Sequence, residues 1–416
     1  MILYRAAWVL PVSAPPIRNG GVLVRDGRIV AVSAAFDDRH VPVDRERAGS
    51  LVGSESDGRI EAVDLGDVAI LPGLVNAHTH LELSWMRGQI PPSDSMPTWA
   101  ARLMALRREQ GNDPPAPIAD AIRESRAAGT ALVGDVTNTL EAYDLLSDSR
   151  LHGHIFYELL GFNPPSPEQA VATAQSRLGQ LTPRPEWRRS IVPHAPFSVS
   201  PALFRAIAHA AGDRAVSVHL GESPEEIQFL RDGTGAWREL LGRIGAWTDQ
   251  WQAPGCDPVE YLDQLGLVNG RLLAVHGTQL EQTGLARLAA ARATLVACPR
   301  SNRWTGAGTP PVGRFYESGV RVAIGTDSLA SVQDLNVFAE LGEMRELAPH
   351  VPAARLLESA TLWGAQALGF ADEFGTIEPG KRAELIAVRI PRAIEDVEEY
   401  LVSGLQPDAI TWLETN

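Results

Sequence analysis

The stretch Ala69–His80, AILPGLVNAHTH, decides how this chain reads. An apolar run of strand length ends on two imidazoles, His78 and His80, one residue apart. Side chains alternate along an extended chain, so both leave it on the same side. A His-x-His pair alone is a weak signal, but three further runs end in the same manner. AVSVHLGE (215–222) ends on His219 with Glu222 three residues on, LLAVHG (272–277) on His276, and VRVAIGTDS (320–328) on Asp327. Strand ends converge on one point when parallel strands close into a barrel. Imidazoles and a carboxylate converging there make a metal site suited to hydrolysis.

Eight apolar runs of strand length are spaced along the middle of the chain, at 69–78, 130–136, 154–160, 190–195, 215–220, 272–277, 293–299 and 320–327. Helix-like segments separate them, such as APIADAIRESRAAG (116–129) and SPALFRAIAHAAG (200–212). This alternation implies right-handed βαβ units and a parallel sheet, and eight units fit an α/β fold of the (β/α)8 TIM-barrel type. A dinucleotide-binding sheet is the runner-up, but no GxGxxG follows an early strand. Both ends of the chain have β character. GVLVRDGRIVAVS (21–33) alternates like a hairpin with Asp26-Gly27 at its turn, and FGTIEPGKRAELIAVRI (374–390) turns at Pro379-Gly380. The expectation is a barrel over residues 69–372 and a small β-sandwich assembled from 1–68 and 373–416. DRERAGSLVGSESDGRIE (44–61) reads as an exposed loop. Two long connections, from Leu81 to about Pro117 and from about Ser223 to Pro258, read as lids or inserted helices. The second carries Trp237, Trp247 and Trp251, expected first of all to pack those helices.

Composition narrows the function. The 416 residues carry a net charge of −14, so phosphate backbones are repelled and nucleic acid is not an expected partner. Two cysteines, Cys256 and Cys298, exclude a disulfide framework and fit a reducing cytoplasm. Pro11 cuts short the apolar opening MILYRAAWVL, and the alternating VLVRDGRIVAV that follows suits a surface hairpin better than a secretion signal. No apolar run is long enough to span a membrane, and none is expected as a partner. Lys381 is the only lysine. A Walker-type phosphate loop is therefore excluded, as is a barrel lysine acting as Schiff base or as a carbamate bridging two metals. The expected partner is a small-molecule substrate, and a homodimer is a candidate assembly by analogy with barrel hydrolases of this size.

Three nitrogens from His78, His80 and His219, one oxygen from Asp327 and a water suit Zn²⁺, with Fe²⁺ the second choice. Glu222, just past a strand end, is placed to reach the substrate side of the metal as a proton shuttle. His276 faces the same mouth; with no barrel lysine to bridge two ions it is expected to orient the water in a site with one metal, the alternative being ligation of a second metal bridged by a glutamate. Asp327 is expected to accept the water's proton as well as to ligate. His194, in SIVPHAPFSVS (190–200), ends the fourth run and is expected to touch substrate. A non-catalytic metal-binding protein is a rival from another class, but a structural site has no use for the spare acid Glu222.

Taken together, LPGLVNAHTH, HAPFSVS, HLGES, VHGTQL, ACPRSN, GTDSL and IEPGKRAEL resemble, in that order, the amidohydrolase superfamily and its mononuclear deaminase branch. The resemblance covers nearly the whole chain. It implies a metal-bearing barrel with a terminal β-sandwich, His78, His80, His219 and Asp327 as metal ligands, Glu222 as proton-transfer residue and His276 as orienting residue. It also implies substrate contact by His194 and cover from Trp99 in the loop after the first strand. A narrower resemblance, carried by ILYRAAWVLPVSAPP, NAHTHLELS, ESPEEIQFLRDGTG and WQAPGCDPVEYLDQLGL, is to the aminodeoxyfutalosine deaminases of menaquinone biosynthesis. It implies hydrolysis of a 6-aminopurine nucleoside with release of ammonia. Other aminohydrolases on the scaffold, acting on S-adenosylhomocysteine, methylthioadenosine, guanine, cytosine or triazines, would share the ligand set. The branch often carries a ribose-binding glutamate soon after the loop tryptophan. This sequence departs there, reading AARLMALRREQ (100–110), with Arg107 and Arg108 near that place. An arginine there suits a carboxylate on the substrate.

Overall fold

The computed structural model describes residues 1–34, 36, 60–111 and 114–413, so most of the loop expected at 44–61 lies outside the described residues. Eight parallel strands form the centre: β1 (Leu74–Thr79), β2 (Thr130–Thr137), β3 (His152–Leu159), β4 (Trp187–Pro193), β5 (Val216–Leu220), β6 (Leu272–His276), β7 (Thr294–Ala297) and β8 (Arg321–Ile324). Strands β1 to β4 pair in sequence, and β5 to β8 do the same. Two seams close the ring. His219 N donates to His194 O at 2.9 Å between β5 and the end of β4, and the N–H groups of Thr326 and Asp327 donate to His78 O at 3.1 and 3.0 Å between the end of β8 and β1. Both seams run through residues singled out above. The barrel strands are apolar and almost wholly buried, as sheets covered by helices on the outside must be.

The terminal segments build two further sheets. One orders strands 28–33, 21–25, 2–5 and 61–64, and the other 410–412, 385–389, 68–72, 8–9 and 17–18. The hairpin Gly21–Arg25 to Arg28–Ser33 turns at Asp26 and Gly27, with φ of 51° and 70°. That is the left-handed pair a two-residue hairpin turn requires.

One expectation needs correction. The run 69–78 is not one barrel strand. Val68–Pro72 pairs antiparallel with Leu385–Arg389 in the terminal layer, and the barrel strand starts at Leu74. The reason lies in the Pro72-Gly73 step. A Cβ on Gly73 would come within 2.6 Å of Ala131 Cβ, so only glycine lets the chain pass between the layers. The C-terminal segment is not β throughout either. Its helix Val397–Leu401 lies against the barrel's helices, and Asn336 Nδ2 donates to Leu405 O at 2.8 Å.

Candidate active site

The C-terminal ends of the strands carry the chemistry. His78 and His80 leave β1 on one side, and their Nε2 atoms stand 3.2 Å apart. The end of β1 is tied to the end of β8 by side chains. Asn76 Nδ2 donates to Thr326 Oγ1 at 2.8 Å, Thr326 N donates back to Asn76 Oδ1 at 3.1 Å, and Thr79 Oγ1 donates to Asp327 O at 3.0 Å. His276 and Asp327 have φ of 77° and 62°, a left-handed backbone that non-glycine residues adopt at a cost of about 1–3 kcal/mol. Both lie at strand ends, where the kink turns their side chains into the mouth. The Asp327 carboxylate is then held by Ser301 Oγ at 2.6 Å and by Ser328 N at 2.8 Å.

Imidazoles dominate the mouth. Ring centroids lie 4.9 Å apart for His78 and His80, 4.8 Å for His78 and His219, 5.1 Å for His219 and His276, and 4.8 Å for His194 and His219. So many cations cannot share one buried space. Burial, reinforced by neighbouring imidazoles, pushes His78 well down, His276 to about 3 and His194 to about 4, and His80 is lowered as well. His219 is the exception. Burial would lower it, but the carboxylates of Glu158, Glu222 and Asp327 outweigh that and raise it to about 9. Carboxylates that hold a proton on an imidazole would equally favour a metal cation in its place. Burial raises Glu222 to about 8, toward the protonated form.

The donor set fits a divalent ion of borderline softness. His78, His80 and His219 each offer a ligand atom within 4.8 Å of the others, and Asp327 Oδ1 lies 3.9 and 3.6 Å from the Nε2 atoms of His78 and His80. His219 Nε2 is buried without a hydrogen-bond partner among the described residues. Glu222 Oε2 is also unpartnered there, at 3.5 Å from His276 Nε2 and 3.9 Å from His219 Nδ1. The His276 ring is pinned from behind by the Asn302 amide, 3.0 Å from Nδ1. Glu226 fixes the turn that presents Glu222, accepting from Gly221 N at 2.8 Å and from Glu222 N at 2.9 Å.

The site opens into a cavity of about 640 Å³ whose wall includes His80, His194, His219, Glu222 and Asp327. Helix Met96–Gln110, after β1, and helix Ala236–Arg243, after β5, form its sides. Trp99 lines it and is buried, with Nε1 unpartnered among the described residues. His194 lines it too, its Nδ1 2.6 Å from Ser198 Oγ. The two arginines part company. Arg107 lines the cavity too, but its Nη2 reaches buried Glu82 at 2.5 Å and its Nη1 reaches Asn138 Oδ1 at 2.9 Å, so two of its donors are held by the wall. Arg108 is exposed on the cavity's rim, with no carboxylate partner among the described residues. Of the tryptophans expected to pack helices, Trp247 and Trp251 do so around Phe162 and Phe229, whereas Trp237 stacks on Phe197 at 3.7 Å and lines the cavity.

Sequence reasoning missed Glu158. It is the penultimate residue of β3, is buried in the cavity wall, and places Oε1 3.5 Å from His219 Nε2. Its signal was a lone carboxylate in the apolar run HIFYELL, at a barrel strand's C-terminal end.

Comparison with known proteins agrees with this architecture. The model of the amidohydrolase family matches residues 69–404. An aminodeoxyfutalosine deaminase of Deinococcus radiodurans is 33% identical over 74% of this chain and 75% of its own length. A 5-methylthioadenosine/S-adenosylhomocysteine deaminase of Moorella thermoacetica is 29% identical over 96% of this chain and 89% of its own length. The crystal structure of an adenosine deaminase from Xanthomonas campestris with bound zinc superposes with a TM-score of 0.77 at 27% identity, covering 99% of this chain and 90% of that one. A strand-end histidine cluster in a (β/α)8 barrel, a β layer drawn from both termini and a family match across most of the chain lead to one assignment: this protein belongs to the amidohydrolase family.

Proposed function

We propose that this chain is a metal-dependent hydrolytic deaminase of a 6-aminopurine nucleoside, with aminodeoxyfutalosine the favoured substrate. The observation that carries the reaction is the buried convergence of His78, His80 and His219 with an unpartnered Glu222 carboxyl beside them. His78, His80 and His219 would hold the ion, with Asp327 as its oxygen donor. A bound divalent ion, zinc by preference, supplies a water acidified toward neutral pH. Asp327, steadied by Ser301 and Ser328, is placed to take that water's proton and later pass it to the leaving amine. Glu222, pushed toward its protonated form by burial, is aimed to give a proton to the ring nitrogen, so negative charge does not build on the purine as C6 becomes tetrahedral. His276, pinned by Asn302, faces Glu222 and fixes the line of attack. The closing helices and Trp99 keep bulk water from the reacting carbon.

The rim favours the substrate. Among the described residues three large hydrophobic side chains are exposed, and two of them, Leu160 and Ile244, stand on the cavity's edge with Arg108. An apolar group ending in a carboxylate, such as the benzoate of aminodeoxyfutalosine, meets both features. The thioether nucleosides are the second reading, because the same apolar rim accepts them. Ammonia release should be measured from adenosine, S-adenosylhomocysteine, 5′-methylthioadenosine and aminodeoxyfutalosine with the zinc-loaded protein. The expected result is release from at least one, with the highest kcat/KM for aminodeoxyfutalosine. Release from none would end the deaminase reading, and a preference for methylthioadenosine would end the choice of substrate.

A further inference from the structure

We propose that Glu158 is the residue that binds the substrate's sugar, its carboxylate accepting from the vicinal hydroxyls of the ribose; the assignment rests on the nucleoside deaminase reading above. Glu158 comes from β3, three strands around the barrel from β6, which carries His276, and three from β8, which leads to Asp327. It is buried yet faces the cavity. One oxygen is satisfied, since Asn138 Nδ2 donates to Oε2 at 3.0 Å and to the Glu158 main-chain O at 3.1 Å. The other, Oε1, has only a long contact to His219 Nε2, at 3.5 Å, among the described residues.

The wall behind Glu158 is built to hold it still. Asn138 N donates to both oxygens of Glu82, at 3.1 and 3.0 Å, and Asn138 Oδ1 accepts from Arg107 at 2.9 Å. Glu82 also accepts from Thr137 Oγ1 at 2.5 Å and Thr139 Oγ1 at 2.8 Å. A braced carboxylate oxygen that faces a cavity and holds only a long ion-pair contact gains a short, charge-assisted hydrogen bond when a ligand brings a donor. A carboxylate is acceptor-only, so the ligand group must carry O–H or N–H. Leu160 lies two residues further out, about 6.6 Å along the strand direction, and is exposed at the rim. The cavity wall thus runs from the acid and metal donors, through the Glu158 acceptor beside His219, to apolar and cationic groups at the edge. A nucleoside is layered in the same order, with its base, its hydroxyl pair and its 5′ substituent.

The test is equilibrium binding of deaminated nucleosides, which are not turned over. Inosine and 2′,3′-dideoxyinosine should be titrated by calorimetry into zinc-loaded wild type, Glu158→Gln and Asn138→Ala. Wild type is expected to prefer inosine by at least about tenfold, the scale of a hydrogen bond to a charged acceptor. Glu158→Gln should reduce that preference to below about threefold, and Asn138→Ala, which frees the carboxylate, should give an intermediate value. Glu158→Asp, which keeps the charge but retracts it, should also fall between and serves if the amide variant does not fold. An unchanged preference in the folded Glu158 variants, or no preference in wild type, overturns the assignment while leaving the deaminase reading intact. Failure of both nucleosides to bind, together with no ammonia release from any aminopurine nucleoside, overturns both.

Discussion

At the scale of single residues, the proposed roles give His78, His80 and His219 to the metal, Glu222 to proton transfer and Asp327 to both, and substitution should tell Glu222 apart from the ligands. Glu222→Gln keeps the shape but removes the transferable proton. It should leave zinc content at the wild-type level and lower kcat by about 10²–10⁴, read by metal analysis and ammonia release. Near-native turnover would remove Glu222 from its role. The neighbouring arginines should part in a comparable manner. Arg108→Ala should raise KM for carboxylate-bearing nucleosides and leave it unchanged for adenosine, because Arg108 is exposed on the rim with no carboxylate partner among the described residues. Arg107→Ala should instead lower stability, by about 1–3 kcal/mol in denaturant melts, since it removes a donor from buried Glu82. The strand-end histidines and Asp327 were legible because each closes an apolar run. Glu158 was not, because a single glutamate near the end of HIFYELL carries no spacing signal, and the pairing of Arg107 with Glu82 was hidden by a separation of 25 positions along the chain.

At the scale of elements, parallel strands written as unbroken apolar runs were readable as such, and every run of the barrel found its strand except the first, which was read too long. Continuous hydrophobicity runs through the Pro72-Gly73 step although the chain changes layers there, so no periodicity marks the boundary. Gly73 marks it by sterics alone. Gly73→Ala should destabilise the fold by about 1–3 kcal/mol, because the new methyl meets the Ala131 Cβ, which is fixed to its backbone. The site lies at the far end of β1, so the variant's KM should stay at the wild-type value; a Gly73→Ala protein with unchanged thermal and denaturant midpoints would contradict this view of the junction. The inserted helices show the limit of pattern reading from the other side. Their tryptophans are alike in sequence, but Trp237 faces the cavity and Trp247 and Trp251 face one another and neighbouring phenylalanines, a division set by tertiary packing.

At the scale of the whole molecule, buried neutral histidines tie stability to pH. His154, on β3 away from the metal donors, is pushed down to about 3, by burial first of all, and contacts Ser190 Oγ at 2.9 Å. The unfolded chain takes up a proton there below about pH 6.5 and the folded chain does not until near 3, so the native state loses stability as pH falls between those values. The slope from this one group approaches about 1.4 kcal/mol per pH unit. His154→Gln should therefore show a smaller fall in Tm between pH 6.5 and 4.5 than wild type; parallel curves would show that His154 does not titrate as its burial requires. The central claim is that three imidazoles and a carboxylate hold one ion without which the barrel does no chemistry. It is tested most directly by stripping the protein with a chelator and titrating zinc back while following ammonia release from an aminopurine nucleoside. Activity should vanish on stripping and return in proportion up to one equivalent per chain. Full turnover by protein shown to be metal-free would contradict the account.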